Sequence, residues 1–200
     1  RHGAECVVRL DFAKSDVEGL RARFPEDLIV QADVSAGSLP IPETMRFDVI
    51  SAFDVLLNIG GTDALRWAIA NLAKHCAPGG WLIISDAIVQ GWGYVPTPRR
   101  MACSEVRSVA EYREVLEEHG FVIDSIRPAT VLLSEPLEAA NQWKFLGLLT
   151  WWKISGLWGR SHMLSRLLGQ GVVEADQLAC RFCSVSNGPG VKILLARKLD

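Results

Sequence analysis

The 200-residue sequence predicts an α/β domain built on a mostly parallel sheet. Three observations carry that expectation. Short apolar, β-branched runs alternate with amphipathic helical stretches. The stretch at residues 45–61, MRFDVISAFDVLLNIGG, holds a run at 47–52 with the length and composition of a strand buried on both faces. A strand of that kind needs helices above and below it. Its polar exit lies where an open parallel sheet keeps its ligands, beyond the C-terminal ends of the strands.

The elements follow in order. Residues 5–10 (ECVVRL) read as a strand with Asp11 at its end. Ser15 can cap a short helix to Phe24, with Val17, Leu20 and Phe24 on one face, and Pro25 stops it. Residues 28–32 (LIVQA) form a second strand, again followed by an acid, Asp33. A loop rich in Pro, Gly and Ser spans 35–44 and leads to the 47–52 strand. Thr62 can cap the next helix, whose Leu65, Ala68, Ile69 and Leu72 make an apolar stripe. Pro78-Gly79-Gly80 ends that unit, and 81–85 is a strand with Asp86 at its end. Residues 91–104 are irregular. Ser108 and Glu111 have capping-box spacing for a helix that Gly120 closes. His75 and His119 fall at helix C-terminal ends, where an imidazole suits the helix dipole. Residues 121–127 form a strand, which a continuation through 131–133 would lengthen. After the turn at 187–190, residues 191–196 form the last strand, expected antiparallel beside 121–127.

The bulk numbers exclude several classes. Hydrophobic content of 49% and charged content of 22% describe a folded globular chain with a sizeable core. A net charge of −2 without a dense Lys/Arg run argues against nucleic acid as a partner. Five scattered cysteines, Cys6, Cys76, Cys103, Cys180 and Cys183, fit no disulfide framework and suggest a reducing, cytoplasmic setting. The start, RHGAECVVRLDF, lacks the order of a signal peptide and reads as the inside of a domain.

Two acids on successive strand ends, Asp11 and Asp33, suit a nucleoside pocket, since a carboxylate can hold a ribose diol or an exocyclic amine. Asp is also common at strand ends as a turn residue. Tyr94 is a candidate acid, base or pocket wall. Arg99, beside Arg100, is a candidate grip for an anionic substrate, and a solvated Arg pair reads equally well. Cys180 and Cys183 form a C-x-x-C without a second pair at zinc-finger spacing, so no metal site is expected. No nucleophilic triad, phosphate loop or H-E-x-x-H is present.

The ordered set VVRLDFAKSDVEGLRARFP, LIVQADVSAGSLPIP, RFDVISAFDVLLNI and ALRWAIANLAKHCAPGGWLIISDA resembles the class I S-adenosylmethionine-dependent methyltransferases. The stretch RSVAEYREVLEEHGF resembles that family's helix before strand six. The likeness covers roughly residues 4–127 and 191–198. It implies a Rossmann-like three-layer sandwich with sheet order 3-2-1-4-5-7-6 and S-adenosyl-L-methionine as cofactor. It implies that Asp11 holds the ribose hydroxyls with Phe12 beside the adenine. Asp33 would face the adenine amine, with Val34 giving a backbone contact. Ser51, Ala52 and Phe53 would line the methionine end, and Asp54 and Asn58 would lie near the transferred methyl group.

One departure stands out. The family's glycine-rich loop after its first strand has no match, and Gly60-Gly61 and Pro78-Gly79-Gly80 occupy the wrong places for it. The expectation is a chain truncated at its N-terminus by roughly 40–60 residues, the size of one βα unit with a leader. Removing a central strand would leave two unpaired edges with an apolar trench between them. Such a chain should bind S-adenosylmethionine weakly or not at all.

Residues 137–171 carry four of the seven tryptophans, Trp143, Trp151, Trp152 and Trp158. They read as one or two amphipathic helices inserted before the last strand. A substrate lid or core cover, with Trp143 as a substrate candidate, is one reading. A homodimer contact and a membrane-surface helix are the others. The expected function is methyl transfer to an O or N atom of a small-molecule acceptor, driven mainly by donor–acceptor alignment. The alternative is a non-catalytic, partial methyltransferase-like module that serves interaction or membrane-surface association. An NAD-linked oxidoreductase would need its own glycine fingerprint and a Tyr-x-x-x-Lys pair, which the sequence lacks.

Overall fold

A computed structural model of the chain describes residues 6–91, 94–95, 100–101, 104–159, 162–182 and 190–200. The alternation read from the sequence forms β1 (Val8–Asp11), α1 (Lys14–Arg23), β2 (Leu28–Gln31), β3 (Phe47–Phe53), a 3-10 turn (Leu56–Asn58), α2 (Thr62–His75) and β4 (Cys76–Val89). Then come the short β5 (Arg100–Met101), β6 (Ser104–Glu105) and β7 (Arg107–Ser108), followed by α3 (Val109–Glu118) and β8 (Phe121–Pro128). The insert is two helices, α4 (Gln142–Gly159) and α5 (His162–Phe182), before β9 (Val191–Lys198).

Local chemistry explains most boundaries. The capping box at α3 forms as its spacing requires: Ser108 Oγ accepts from the Glu111 amide, and Glu111 returns a carboxylate to the Ser108 amide. Gly120, at φ +74°, closes that helix. Other signals act differently. α1 starts at Lys14 with Ala13 as an uncapped N-cap, so Ser15 lies inside the helix. Thr62 is the first residue of α2, and Gly61 is its N-cap at φ +85°. β4 begins at Cys76, and its Pro-Gly-Gly lies inside the strand. A Cβ on Gly80 would stand 3.1 Å from the Asp48 carbonyl oxygen and 2.8 Å from that of Ala77, so only glycine allows β3 this close. β8 stops at Pro128, and 131–133 does not extend it.

The larger sheet has the order β3-β4-β9-β8, with β7 paired to β4. β3 runs parallel to β4, with Phe53 opposite Ser85. β9 is antiparallel to both its neighbours, placing Leu82 opposite Ala196 and Val122 opposite Arg197. The path β3-β4-β9-β8 matches the expected 4-5-7-6. The α/β class holds, but parallel pairing is less dominant than expected, because one reversed strand makes two antiparallel pairings.

Leu82, Ile84 and Ile88 alternate along β4 and are buried. With Leu194 and Ala196 of β9 they form the main core against Leu65, Ala68 and Ile69 of α2 and Tyr112, Val115 and Leu116 of α3. Arg66 Nε also ties α2 to Glu118 of α3 at 2.9 Å.

β1 and β2 form a separate two-stranded parallel sheet. Its small core is Val30, Leu39 and Ile41. Between this unit and β3 lies a trench of about 500 Å³. Val7, Val8, Arg9 and Leu10 line it on one side, and Val49, Ile50, Ser51 and Ala52 on the other. Successive strand residues point to opposite faces, so a wall of four consecutive residues is a strand edge, not a sheet face. The trench is therefore bounded by the open edges of β1 and β3. This corrects the expectation that β3 is buried on both faces. It is an edge strand, and Val49 and Phe53 are 56% and 59% exposed.

Side chains of α2 hold the two units together. Asn71 is buried and donates to the carbonyls of Val34 at 2.9 Å and Gly37 at 2.7 Å. His75 pairs through Nδ1 with the Met45 carbonyl at 3.1 Å, so it serves the neighbouring loop more than its own helix end. Asn71→Ala leaves both carbonyls without this donor. It should cost about 1–3 kcal/mol of stability in urea titration. An unchanged midpoint and slope would show that Asn71 does not join the units.

Candidate functional site

The site expected from the sequence lies at the C-terminal ends of β1, β2 and β3. Asp11 ends β1, opposite Gln31 of β2, and Ala32 donates its amide to the Asp11 carbonyl at 3.0 Å. Asp33 follows two residues after Gln31, so the two acids occupy neighbouring strand ends. Each carboxylate shapes its own turn. Asp11 Oδ1 accepts from the Ala13 amide at 2.8 Å. Asp33 Oδ1 accepts from the Ser35 amide at 2.8 Å and the Ser35 hydroxyl at 2.7 Å. Each bonding pattern engages Oδ1, so the turn role and a ligand role for Oδ2 are compatible. Phe12 is exposed beside Asp11, and Val34 is buried behind Asp33.

β3 supplies the facing wall. Ser51 and Ala52 line the trench together with Val34. Phe53 projects into solvent. Asp54 adopts φ +54°, the one non-glycine residue with positive φ among those described. Strain of that kind persists only when neighbours enforce it, and it clusters at functional sites. Two bonds enforce it here. The Asp54 amide donates to the Ser85 carbonyl at 2.8 Å, and the Asn58 side-chain amide donates to the Asp54 carbonyl at 2.7 Å.

The substrate-side candidates divide. Tyr94 forms a backbone bridge to Ala139, and its ring meets Phe145 of α4 edge-on at 5.5 Å. Trp143, also on α4, is 81% exposed. Arg99 lies outside the described residues, as do Cys103 and Cys183. Glu138 anchors the root of the insert: its carboxylate accepts from the Gln90 amide at 2.9 Å and from Lys192 Nζ at 2.8 Å. Burial pushes the Lys192 ammonium below its ordinary range, and Glu138 pulls it back up. The far side of the insert is pinned by Asp176 to the amides of Val131 and Leu132, and by Trp151 Nε1 to the Leu132 carbonyl at 3.1 Å. No helix among the described residues is long and apolar enough to cross a membrane.

Asp86 is a participant whose part the sequence understated. Its sequence position marks it only as a residue closing its strand. It is fully buried, accepts from the Tyr112 hydroxyl at 2.8 Å through Oδ2, and has no hydrogen-bond partner of good geometry on Oδ1. Burial pushes its pKa up to about 7. The Tyr112 hydrogen bond opposes this, the Asp54 charge adds to it, and the Leu57 backbone and Arg107 oppose it more weakly. Burial likewise raises the Tyr112 hydroxyl, and the Asp86 charge raises it further.

The sign of the stability effect follows. Below the ordinary value of 3.8, folded and unfolded chains both hold the proton. Between 3.8 and about 7 only the folded chain holds it, so stability falls as pH rises through that window. The asparagine variant Asp86→Asn should show a flatter stability profile across the same window, by a difference on the order of a few kcal/mol. Parallel profiles for the two proteins would refute an elevated Asp86.

Residues 1–84 match the sequence family described as a methyltransferase domain. No curated protein sequence matches the chain. Among solved structures, the O-methyltransferase from a trans-AT polyketide synthase multienzyme of Brevibacillus brevis, in complex with S-adenosyl-L-homocysteine, is similar at TM-score 0.58 and 16% identity. The match covers 97% of this chain and 59% of that one. The [4+2]-cyclase SpnF is similar at TM-score 0.55 and 18% identity, over 97% and 66% of the two chains. The N-methyltransferase NodS from Bradyrhizobium japonicum gives 0.54 and 14%, over 98% and 75%. The chain thus spans about three-fifths to two-thirds of the first two structures. It shares the Rossmann-like fold of these O- and N-methyltransferase structures, and the methyltransferase-domain match lies in its N-terminal part.

Proposed function

We propose that the chain acts in S-adenosylmethionine-dependent methyl transfer to an O or N atom of a small-molecule acceptor. The observation that carries this reading is the placement of the two acids, Asp11 at the end of β1 and Asp33 just past β2, across the trench from the Ser51–Phe53 wall of β3, inside the stretch that matches the methyltransferase family. Asp11 and Asp33 offer carboxylate oxygens to the ribose and adenine of the cofactor. Ser51 to Phe53 present backbone and small side chains to its methionine end. S-adenosylmethionine would supply the chemistry, because a sulfonium methyl is already electrophilic. The protein then has to align donor and acceptor and exclude water. Asp54 and Asn58, both exposed, stand nearest the acceptor side. On this reading Tyr94, in the loop after β4, and Trp143, on α4, would contribute to the acceptor side, with the insert as its cover.

The trench places a gap between the acid pair and the Ser51–Phe53 wall. A ligand that touches both walls gains less here than at a continuous sheet edge. Ligand-observed NMR with S-adenosylhomocysteine should detect weak binding, outside the low-micromolar range. Asp11→Ala and Asp33→Ala should each weaken it by roughly tenfold, the equivalent of one charge-assisted hydrogen bond. A parent protein that gives no signal, or binding untouched by both variants, would contradict the cofactor assignment.

The same trench favours a second reading, in which the chain is a non-catalytic methyltransferase-like module whose open strand edges receive a partner. The [4+2]-cyclase among the similar structures is named for an activity other than methyl transfer, and a fold does not by itself fix a function. The S-adenosylhomocysteine titration separates them.

A further inference from the structure

Arg107 is buried at the start of α3, where β7 pairs with the end of β4 and sets Arg107 opposite Ile88. A buried guanidinium needs partners for its fixed fork of donors. Arg107 finds them in the chain that follows β3. Nη1 donates to the Leu56 carbonyl at 2.8 Å. Nη2 donates to the Ile59 carbonyl and, at 3.4 Å, to that of Gly61. It also pairs with Glu105 Oε2 at 3.1 Å. The same Glu105 oxygen accepts from the Gly61 amide at 2.7 Å. Gly61 is thus gripped from both sides, its N–H by Glu105 and its carbonyl by Arg107. These carbonyls lie between β3 and α2, outside any sheet ladder; those of Leu56 and Gly61 also accept the Ile59 and Leu65 amides, each at 3.2 Å, and Arg107 adds side-chain bonds that tie the turn to the start of α3.

We propose that Arg107 and Glu105 are positioning residues that hold residues 54–61 in the single shape a ligand meets. The strained Asp54 sits at the head of that segment, the exposed Asn58 lies between the anchored Leu56 and Ile59, and Gly61 is the third anchored point. The two gripping residues come from the short stretch before α3, some 45 positions downstream of the segment they hold. The fixed shape of the wall is independent of the proposed function, and its bearing on a cofactor rests on that reading.

Hydrogen–deuterium exchange of the peptide covering 54–61 tests this in the full chain. Glu105→Ala removes the acceptor of the Gly61 amide and the partner of Arg107. Exchange in 54–61 should become about tenfold faster while β4 and β9 keep the parent rate. Glu105→Gln keeps an acceptor oxygen and should restore most of the protection. Arg107→Lys, which keeps the charge but loses the fork, should speed exchange at the same peptide. Because Glu105 is partly exposed, its variants separate a local effect from unfolding even if the Arg107 variant does not fold. Exchange within twofold of the parent in Glu105→Ala, or equal acceleration across β4 and β9, overturns the proposal. S-adenosylhomocysteine titration of the same variant distinguishes the two claims. A loosened wall with unchanged affinity leaves the positioning role standing and removes that wall from the cofactor site.

Discussion

Every strand has donors and acceptors along both edges, and each must meet a partner or water. β3 meets β4 along one edge. Along its other edge, no strand is present among the described residues, and β1 stands across the trench with an open edge of its own. Much of the molecule follows from that opening. It divides the fold into two hydrogen-bonded units, exposes Val49 and Phe53 on a strand whose sequence suits burial, and separates Asp11 and Asp33 from the wall at Ser51.

The two units differ in what stabilises them. β4 and β9 pair over seven register positions, and α2 and α3 cover the buried face of their sheet. The β1–β2 unit has four-residue strands and a core of three buried side chains. It depends on α1, on Asn71 and on the His75–Met45 contact to stay in place. Local opening should therefore begin at β1 and β2, the elements that carry the adenosine-side acids. The β3 wall lies on the firmer unit, where Tyr112 bonds Asp86 of the neighbouring β4 and Arg107 bonds the Leu56 carbonyl just after β3.

Signals confined to a few neighbouring residues were legible in the sequence. The Ser108–Glu111 box, the Gly120 stop, the antiparallel β9 and the acids ending β1 and β2 all depend on short-range chemistry or on the order of elements. The burial of β3 was not legible, because a strand's exposure depends on its neighbours and the FDVISA run is the same at a centre or an edge. The roles of Asp86 and Arg107 were hidden for a related reason. Asp86 meets Tyr112 26 positions away and Arg107 meets the Leu56 carbonyl 51 positions away, and a single Asp or Arg carries no mark of its partner. An acid at the end of so apolar a strand was the available hint at Asp86. For Arg107, a cation one position before a capping box was the only sign, and it is a weak one.

The sheet is interrupted between β1 and β3. NMR cross-strand contacts test it most directly, since adjacent strands lie about 4.8 Å apart and give strong backbone NOEs. An interrupted sheet gives backbone NOEs linking β1 to β2 and β3 to β4, with none linking β1 to β3. NOEs between Val8–Asp11 and Phe47–Phe53 would show a closed, continuous sheet and would contradict it.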